Sequence, residues 1–389
     1  MAGIYIHIPF CVKKCAYCDF VSFENSPHVR QYVNALKAEM EISAFRLPYR
    51  RYDTVFVGGG TPSILPPGMM RQVFDALKAK FDLANDAEIT VECNPGTVDR
   101  EKLNEYLSCG VNRLSFGLQS ANDRLLGEIG RIHVLEDFLK SCEAARQEGF
   151  QNINADVMYG LPKQTVDDLS QTLDVLFTLP VEHVSAYSLI LEEGTPLFKR
   201  VERGETALPD EDEAYQMHRF CIDKLQNAGY ERYEISNYAR RLKAGEKSPW
   251  QCRHNLNYWN NGEYLGVGLN AHSAMRLETG GWTRWSNAET LTSYFSSIDG
   301  SLLPAGEKMP ISRGEEMFET VMLAFRKTEG LSLSSFFERF GVAFEIHYKK
   351  AIATLDGTGY LAIEKGFARL SERGLDMQNE VLLHFMEEN

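Results

Sequence analysis

Three cysteines fall within eight residues, Cys11, Cys15 and Cys18, in the run HIPFCVKKCAYCDF. Spacings of four and then three let one compact loop point three thiolates at a single centre. A structural zinc site normally takes four ligands as two separated pairs. No second pair follows here, and the position two beyond Cys18 is Phe20. Three thiolates from one loop fit an iron–sulfur cluster that leaves one iron free for an exchangeable ligand. Cys93, Cys109, Cys142, Cys221 and Cys252 are scattered, and most of them read as buried small hydrophobes. Clustered thiols and lone buried ones suit a reduced, intracellular chain better than a disulfide framework.

The loop needs a scaffold, and the apolar pattern supplies one. Strands are expected over Gly3–Ile8, Asp53–Val57, Glu88–Glu92, Asn112–Gly117, Asn152–Met158 and Val184–Leu189. Between them, helical spacing covers Val29–Phe45, Met69–Phe81, Asp99–Ser108, Asn122–Glu128, Val134–Glu148 and Thr165–Thr178, the last opened by a threonine cap. Six βα units in a row predict an α/β fold, a partial (β/α)6 barrel of parallel strands. Chemistry in such barrels gathers at the C-terminal strand ends. There lie Cys11, Gly58–Thr61, Glu92, Gln119 and Asp156.

Beyond Leu191 the pattern changes. Glu211–Ala228 reads as one long helix, and ARRLKAGEKSPW (Ala239–Trp250), broken by Gly245 and Pro249, as an exposed connection. Helices over Arg313–Phe325, Ser332–Phe340 and Ala343–Leu355 precede a hairpin turning at Lys365–Gly366, a winged-helix-like order. The expected domains are a core over residues 1–238, a connecting region over 239–300 packing on the barrel mouth, and a smaller C-terminal domain over 301–389. With 389 residues and a 44% hydrophobic fraction there is material for both cores, and the formal charge of −13 argues against nucleic acid or anionic lipid as partner. The start MAGIYIHIPFC has no signal-peptide pattern and no run approaches the roughly 20 apolar residues of a membrane span. A cytoplasmic location is therefore expected.

C-x3-C-x2-C after a first strand and GGGTP after a second resemble the radical S-adenosylmethionine (SAM) superfamily. That resemblance implies a 4Fe–4S cluster on Cys11, Cys15 and Cys18 whose open iron is chelated by SAM. An electron passed to the sulfonium then yields a 5′-deoxyadenosyl radical. YIHIPFC, VGGGTPS, TVECNPG, FGLQS, GRIH and ADVMYGLP, in that order, resemble the coproporphyrinogen-oxidase-like branch and span most of residues 1–200. Carried over by position, Tyr5, Tyr17, Gly59, Gly60, Thr61, Glu92, Gln119, Arg131 and Asp156 would surround SAM. Tyr17 would lie near the adenine and Arg131 would pair a carboxylate. The absence of a Walker-type run leaves a nucleoside triphosphate site unsupported.

Two departures point away from the oxidase. Its members place a further cysteine where this chain has Phe20, and they carry a longer segment ahead of the cluster loop. Downstream, CRHNLNYW (Cys252–Trp259) contains H-N-x-x-Y-W, which resembles the mark of the HemW-type heme chaperones. The implied function is to bind heme and deliver it to heme-dependent respiratory proteins, membrane-associated apo-proteins among them, with a dimer compatible with that role. His254 would supply an axial imidazole at a solvent-accessible site, with Tyr258 and Trp259 stacking on the porphyrin or forming its rim. Cys252 and His272 are rival ligands. The glycine-rich strand expected over Gly266–His272 would close over the SAM site, as the resemblance implies. An oxygen-independent coproporphyrinogen III oxidase is the enzymatic alternative, and a heme-modifying radical SAM methyltransferase ranks behind it. Replacing any one of Cys11, Cys15 or Cys18 by Ala should abolish the brown chromophore after anaerobic iron–sulfide reconstitution. The same change at Cys93, Cys109 or Cys142 should leave it intact, as absorbance near the charge-transfer band would read.

Overall fold

The computed structural model describes residues 1–24, 26–243, 247–277 and 280–386. Six parallel strands lie side by side in chain order: β1 (Ala2–Ile8), β2 (Arg51–Gly59), β3 (Asp82–Cys93), β4 (Arg113–Gln119), β5 (Ile153–Tyr159) and β6 (His183–Ser188). Parallel neighbours need long crossovers. These carry α1 (Val29–Arg46), α2 (Met69–Lys80), α3 (Arg100–Ser108), α4 (Asp123–Glu128), α5 (Leu135–Glu148) and α6 (Val166–Phe177). With both faces covered, β4 is buried at every position, as a parallel sheet requires. The expected threonine cap is present: the Thr165 hydroxyl accepts from the Asp168 N–H, and the Asp168 carboxylate accepts from the Thr165 N–H.

The barrel does not close. After α7 (Pro196–Glu202) and α8 (Glu211–Asn227), β7 (Tyr230–Arg232) and β8 (Asn237–Arg240) extend the β6 edge antiparallel. Past α9 (Arg253–Trp259), β9 (Glu263–Val267) joins the far side of β1 in parallel, and β10 (His272–Arg276), β11 (Trp282–Ser286) and β12 (Met309–Ile311) continue antiparallel. Strands β8 to β11 thus widen the main sheet, and α10 (Leu291–Asp299) packs on α1. Gly245 lies outside the described residues. Gly266–His272 is not one strand but the end of β9, a turn and the start of β10.

The C-terminal part has its own apolar core, from Met317 to Phe385. It runs α11 (Arg313–Ala324), β13 (Leu331–Ser332), α12 (Leu333–Phe340), α13 (Phe344–His347), α14 (Lys349–Leu355), β14 (Leu361–Glu364), β15 (Phe367–Leu370), α15 (Glu372–Asp376) and α16 (Gln378–Met386). The single helix expected over 343–355 is interrupted at Tyr348, where the backbone leaves helical geometry (φ −101°, ψ 32°), and that ring is fully buried against Phe336, Phe344 and Phe385.

One buried carboxylate ties the added strands to the barrel. Glu39 of α1 accepts from the Gly268 N–H at 2.8 Å, the Asn287 Nδ2 at 2.6 Å and the Tyr294 hydroxyl. Burial pushes its carboxyl up to about 7. Glu39→Ala strands three buried donors, each costing about 1–3 kcal/mol. The expected result is a lower urea midpoint, equivalent to about 2 kcal/mol or more, with an unchanged slope.

Candidate functional site

The cluster loop is pinned along its whole length. The Gly60 N–H donates to Ile8 O at 2.9 Å and the Thr61 N–H to Phe10 O at 2.8 Å, so the β2 end holds the β1 end. The Phe23 N–H donates to Pro9 O, and His7 Nε2 meets Val21 O at 3.0 Å. Halfway round, Ala16 donates to Ile129 O at 2.9 Å and accepts from the Leu197 N–H at 2.8 Å. Cys11, Cys15 and Cys18 line one cavity of about 500 Å³. The Thr61 hydroxyl points at Cys11 Sγ, 3.6 Å away, and burial raises the Cys11 and Cys18 thiols. Among the described residues no three His, Cys, Asp or Glu side chains are grouped as a single metal ion requires. Three thiols from one loop on the wall of a cavity this size suit a multi-iron cluster better than one tetrahedral ion.

The walls are polar. Along β4 the inward positions, two residues apart, are Arg113, Ser115, Gly117 and Gln119, and all border the cavity. Arg131 Nη1 donates to Asn94 Oδ1 at 2.9 Å, Asn94 Nδ2 donates to Thr61 Oγ1 at 3.0 Å, and Thr61 reaches Cys11. The Arg131 guanidinium lies 6.0 Å over the Tyr17 ring, and its buried Nε has no partner. That unused donor and the three thiols fit a cluster carrying a carboxylate-bearing ligand. Glu92 accepts from the Gly59 N–H at 3.1 Å, and burial, then the neighbouring Asp156, pushes its carboxyl up to about 8. Asp156 is also raised by burial, while Asn154 donates to it at 2.8 Å. Gln119 holds a left-handed backbone at φ +67° and accepts from the Tyr187 hydroxyl at 3.1 Å. Strain of this kind concentrates at functional sites.

Eleven expected residues therefore meet at one cavity: Cys11, Cys15, Cys18, Tyr17, Gly59, Gly60, Thr61, Glu92, Gln119, Arg131 and Asp156. The glycines have a second reason for being there. A Cβ on Gly59 would sit 2.4 Å from the His7 ring, and one on Gly60 would sit 2.6 Å from Phe10 O. Their room is taken by the chain itself as much as by any ligand.

Other expectations need correcting. Tyr5 does not border the cavity; its hydroxyl meets His7 Nδ1 at 3.0 Å and its ring stacks behind Phe56. Nor do Gly266–His272, His254, Tyr258 or Trp259. HNLNYW forms α9, whose N-terminus is capped by Glu88: that carboxylate accepts from the Arg253 and His254 N–H groups, both at 3.0 Å. His254 is only 1% exposed, against the accessible ligand expected. Its Nδ1 bonds Thr54 Oγ1 at 2.8 Å, its Nε2 bonds the Tyr258 hydroxyl at 3.1 Å, and its ring stacks on Phe56 at 5.3 Å. Burial, then Arg113, lowers its pKa to about 3, so the imidazole is neutral. Trp259 faces Arg326 of the C-terminal domain at 4.4 Å. Of the rivals, Cys252 is buried and His272 is exposed.

Sequence reasoning missed Asn94, Arg113, Ser115, Asn154, Tyr187 and Asn255, all on the cavity wall. The period-two alternation before Gln119 could have found Arg113 and Ser115, and Asn255 is the first asparagine of HNLNYW itself.

Comparison with known proteins bears on this geometry. Residues 5–176 match the radical SAM superfamily and residues 311–377 the HemN C-terminal domain. A heme chaperone HemW from Bacillus subtilis (strain 168) is 35% identical over 390 residues, covering 100% of both chains. The chain belongs to the HemW family. The Escherichia coli (strain K12) heme chaperone HemW is 33% identical over 392 residues, covering 99% of this chain and 98% of its own. The E. coli coproporphyrinogen III oxidase HemN superposes with a TM-score of 0.83 at 22% identity, covering 99% of this chain and 89% of that one, a likeness of fold. Radical SAM membership implies a 4Fe–4S cluster and SAM for this HemW-family chain.

Glu92 makes a pH test. Its folded carboxyl is raised to about 8 from 4.5, so the folded chain holds the proton where the unfolded chain has lost it. Its contribution to stability is therefore undiminished below about pH 4.5 and falls as pH rises towards 8. Glu92→Gln, which cannot ionise but can still accept from Gly59, should lose less thermal stability between pH 6 and pH 8.5 than the parent chain. Equal losses would rule out a buried proton at Glu92.

Proposed function

We propose that this chain is a heme chaperone that carries a 4Fe–4S cluster and SAM, binds heme and hands it to heme-dependent apo-proteins. The observation that carries the reading is the full-length match to chains named heme chaperone HemW, with HNLNYW in place. Phe20 supports it from the other side, standing 63% exposed at the cavity rim where the oxidase branch has its extra cysteine. Among the described residues no helix is long and apolar enough to cross a membrane.

In this reading Cys11, Cys15 and Cys18 hold the cluster. Gly59, Gly60 and Thr61 border the methionine part of SAM, Tyr17 the adenine, and Arg131 offers its unused Nε to a carboxylate. Glu92, Gln119 and Asp156 face the remaining polar groups, and Tyr5 backs the wall through Phe56. Bound there, cluster and SAM supply one-electron chemistry. Heme ligation by His254 needs α9 to release the ring from Thr54 and Tyr258; burial already keeps the imidazole neutral, the form that binds iron.

The test is one anaerobic preparation with a reconstituted cluster. Hemin titration should give a Soret band that shifts and weakens in His254→Ala, with less transfer to an apo-acceptor, while Cys11→Ala retains heme. Coproporphyrinogen with SAM and reductant should not be turned over. A chain that binds no heme and yields protoporphyrinogen over many turnovers is the oxidase instead.

A further inference from the structure

A second cavity, about 460 Å³, opens between the β10–β11 edge of the sheet and the C-terminal domain, next to the end of α9. Its wall is built around Trp282 of β11, 2% exposed. Two guanidiniums lie over that indole, Arg276 of β10 at 5.5 Å and Arg339 of α12 at 4.9 Å. Both also bond the same oxygen of Glu316, a buried carboxylate on α11. The remaining nearby acid, Glu263, is held by Arg50. In this network three arginines are paired with two carboxylates, which leaves one positive charge in excess.

Two hydrogen-bond donors on this wall have no partner, Trp282 Nε1 and Arg339 Nη2. Leaving buried donors unmade is costly, and native structures rarely do so without a ligand or ordered water. A third orphan, Asn257 Oδ1, is an acceptor but packs directly against Gly262, which leaves it no room for a ligand. A cation would meet the surplus positive charge, and a neutral group would leave that charge unused. A carboxylate matches the charge at the guanidiniums and supplies acceptors for both donors once small shifts of the Trp282 and Arg339 side chains uncover them. The guanidiniums remain reachable, since the side chains of Arg276 and Arg339 are 39% and 21% exposed.

We propose that this seam is a carboxylate site and that its occupant is a propionate of heme. The inference rests on the heme-chaperone reading: α9 carries HNLNYW and, through Asn257, lines this cavity as well. One helix therefore borders the place for the macrocycle and the place for its acidic side chain. Nothing in HNLNYW itself supplies a cation, and Arg276 and Arg339 do.

The test compares hemin with hemin dimethyl ester, whose propionates are capped and uncharged. Absorbance titrations use the full chain, Arg276→Gln and Trp282→Phe, with thermal melts to confirm folding. Hemin should bind the parent chain about tenfold more tightly than the ester does, the loss expected for one charge-assisted hydrogen bond. Each variant should lose a similar factor for hemin and little for the ester. Equal affinity of the parent chain for hemin and ester overturns the site, whatever the variants do. Hemin binding unchanged in both folded variants does the same while leaving the heme reading intact. No hemin binding by the parent chain removes that reading, and this inference with it.

Discussion

The backbone of Ala16 is the contact on which the mouth of the barrel depends. An irregular loop of eight residues loses conformational entropy when ordered, about 1–2 kcal/mol per residue, and three thiols cannot converge unless something offsets it. Ala16 uses both of its main-chain groups for this, joining the α4–α5 connection through Ile129 and the start of α7 through Leu197. The loop is thereby held by elements that come more than a hundred residues later. Cys15 and Cys18 stand either side of the clamp, and Cys11 is fixed separately from the β1 end.

The interior this loop caps differs from that of a closed eight-stranded barrel. There, layers of Val, Ile and Leu fill the middle. Here the inward positions of β3, β4 and β5 include Thr90, Glu92, Arg113, Ser115, Asn154 and Asp156. Asn154 keeps much of this tolerable: its Nδ2 donates to Ser115 and Asp156, while its Oδ1 meets His183 Nδ1 at 2.6 Å and accepts from the Ser185 hydroxyl. Apolar burial is carried instead by the outer layer, where the sheet meets its helices.

The barrel and its rim were legible because they are local. Strand ends, the Thr165 cap and the cysteine spacing are short-range signals, and the chain order of the six strands follows from the crossover rule. What was not legible depends on partners distant in sequence. Nothing near His254 announces that Thr54, two hundred positions earlier, will occupy its Nδ1, or that Glu88 will cap its helix. The apolar pattern of residues 263–286 is that of any strands; only the free edge of β1 shows why they join the main sheet. The one-residue break at Tyr348 leaves the apolar spacing of residues 343–355 helical, so helical periodicity cannot register it.

Phe56 is a single ring with two neighbours that matter. It lines the cavity of the cluster loop, and it stacks on the His254 imidazole. Close-packed interiors have little slack, so displacement of this ring cannot be confined to one side. A ligand in the cavity that displaces it alters the free energy needed to lift α9. Thermodynamic reciprocity then fixes the converse: whatever lifts α9 changes that ligand's affinity by the same factor. Any coupling between the cavity and α9 runs through this one wall, and its size is set by how differently each ligand binds the two positions of the ring.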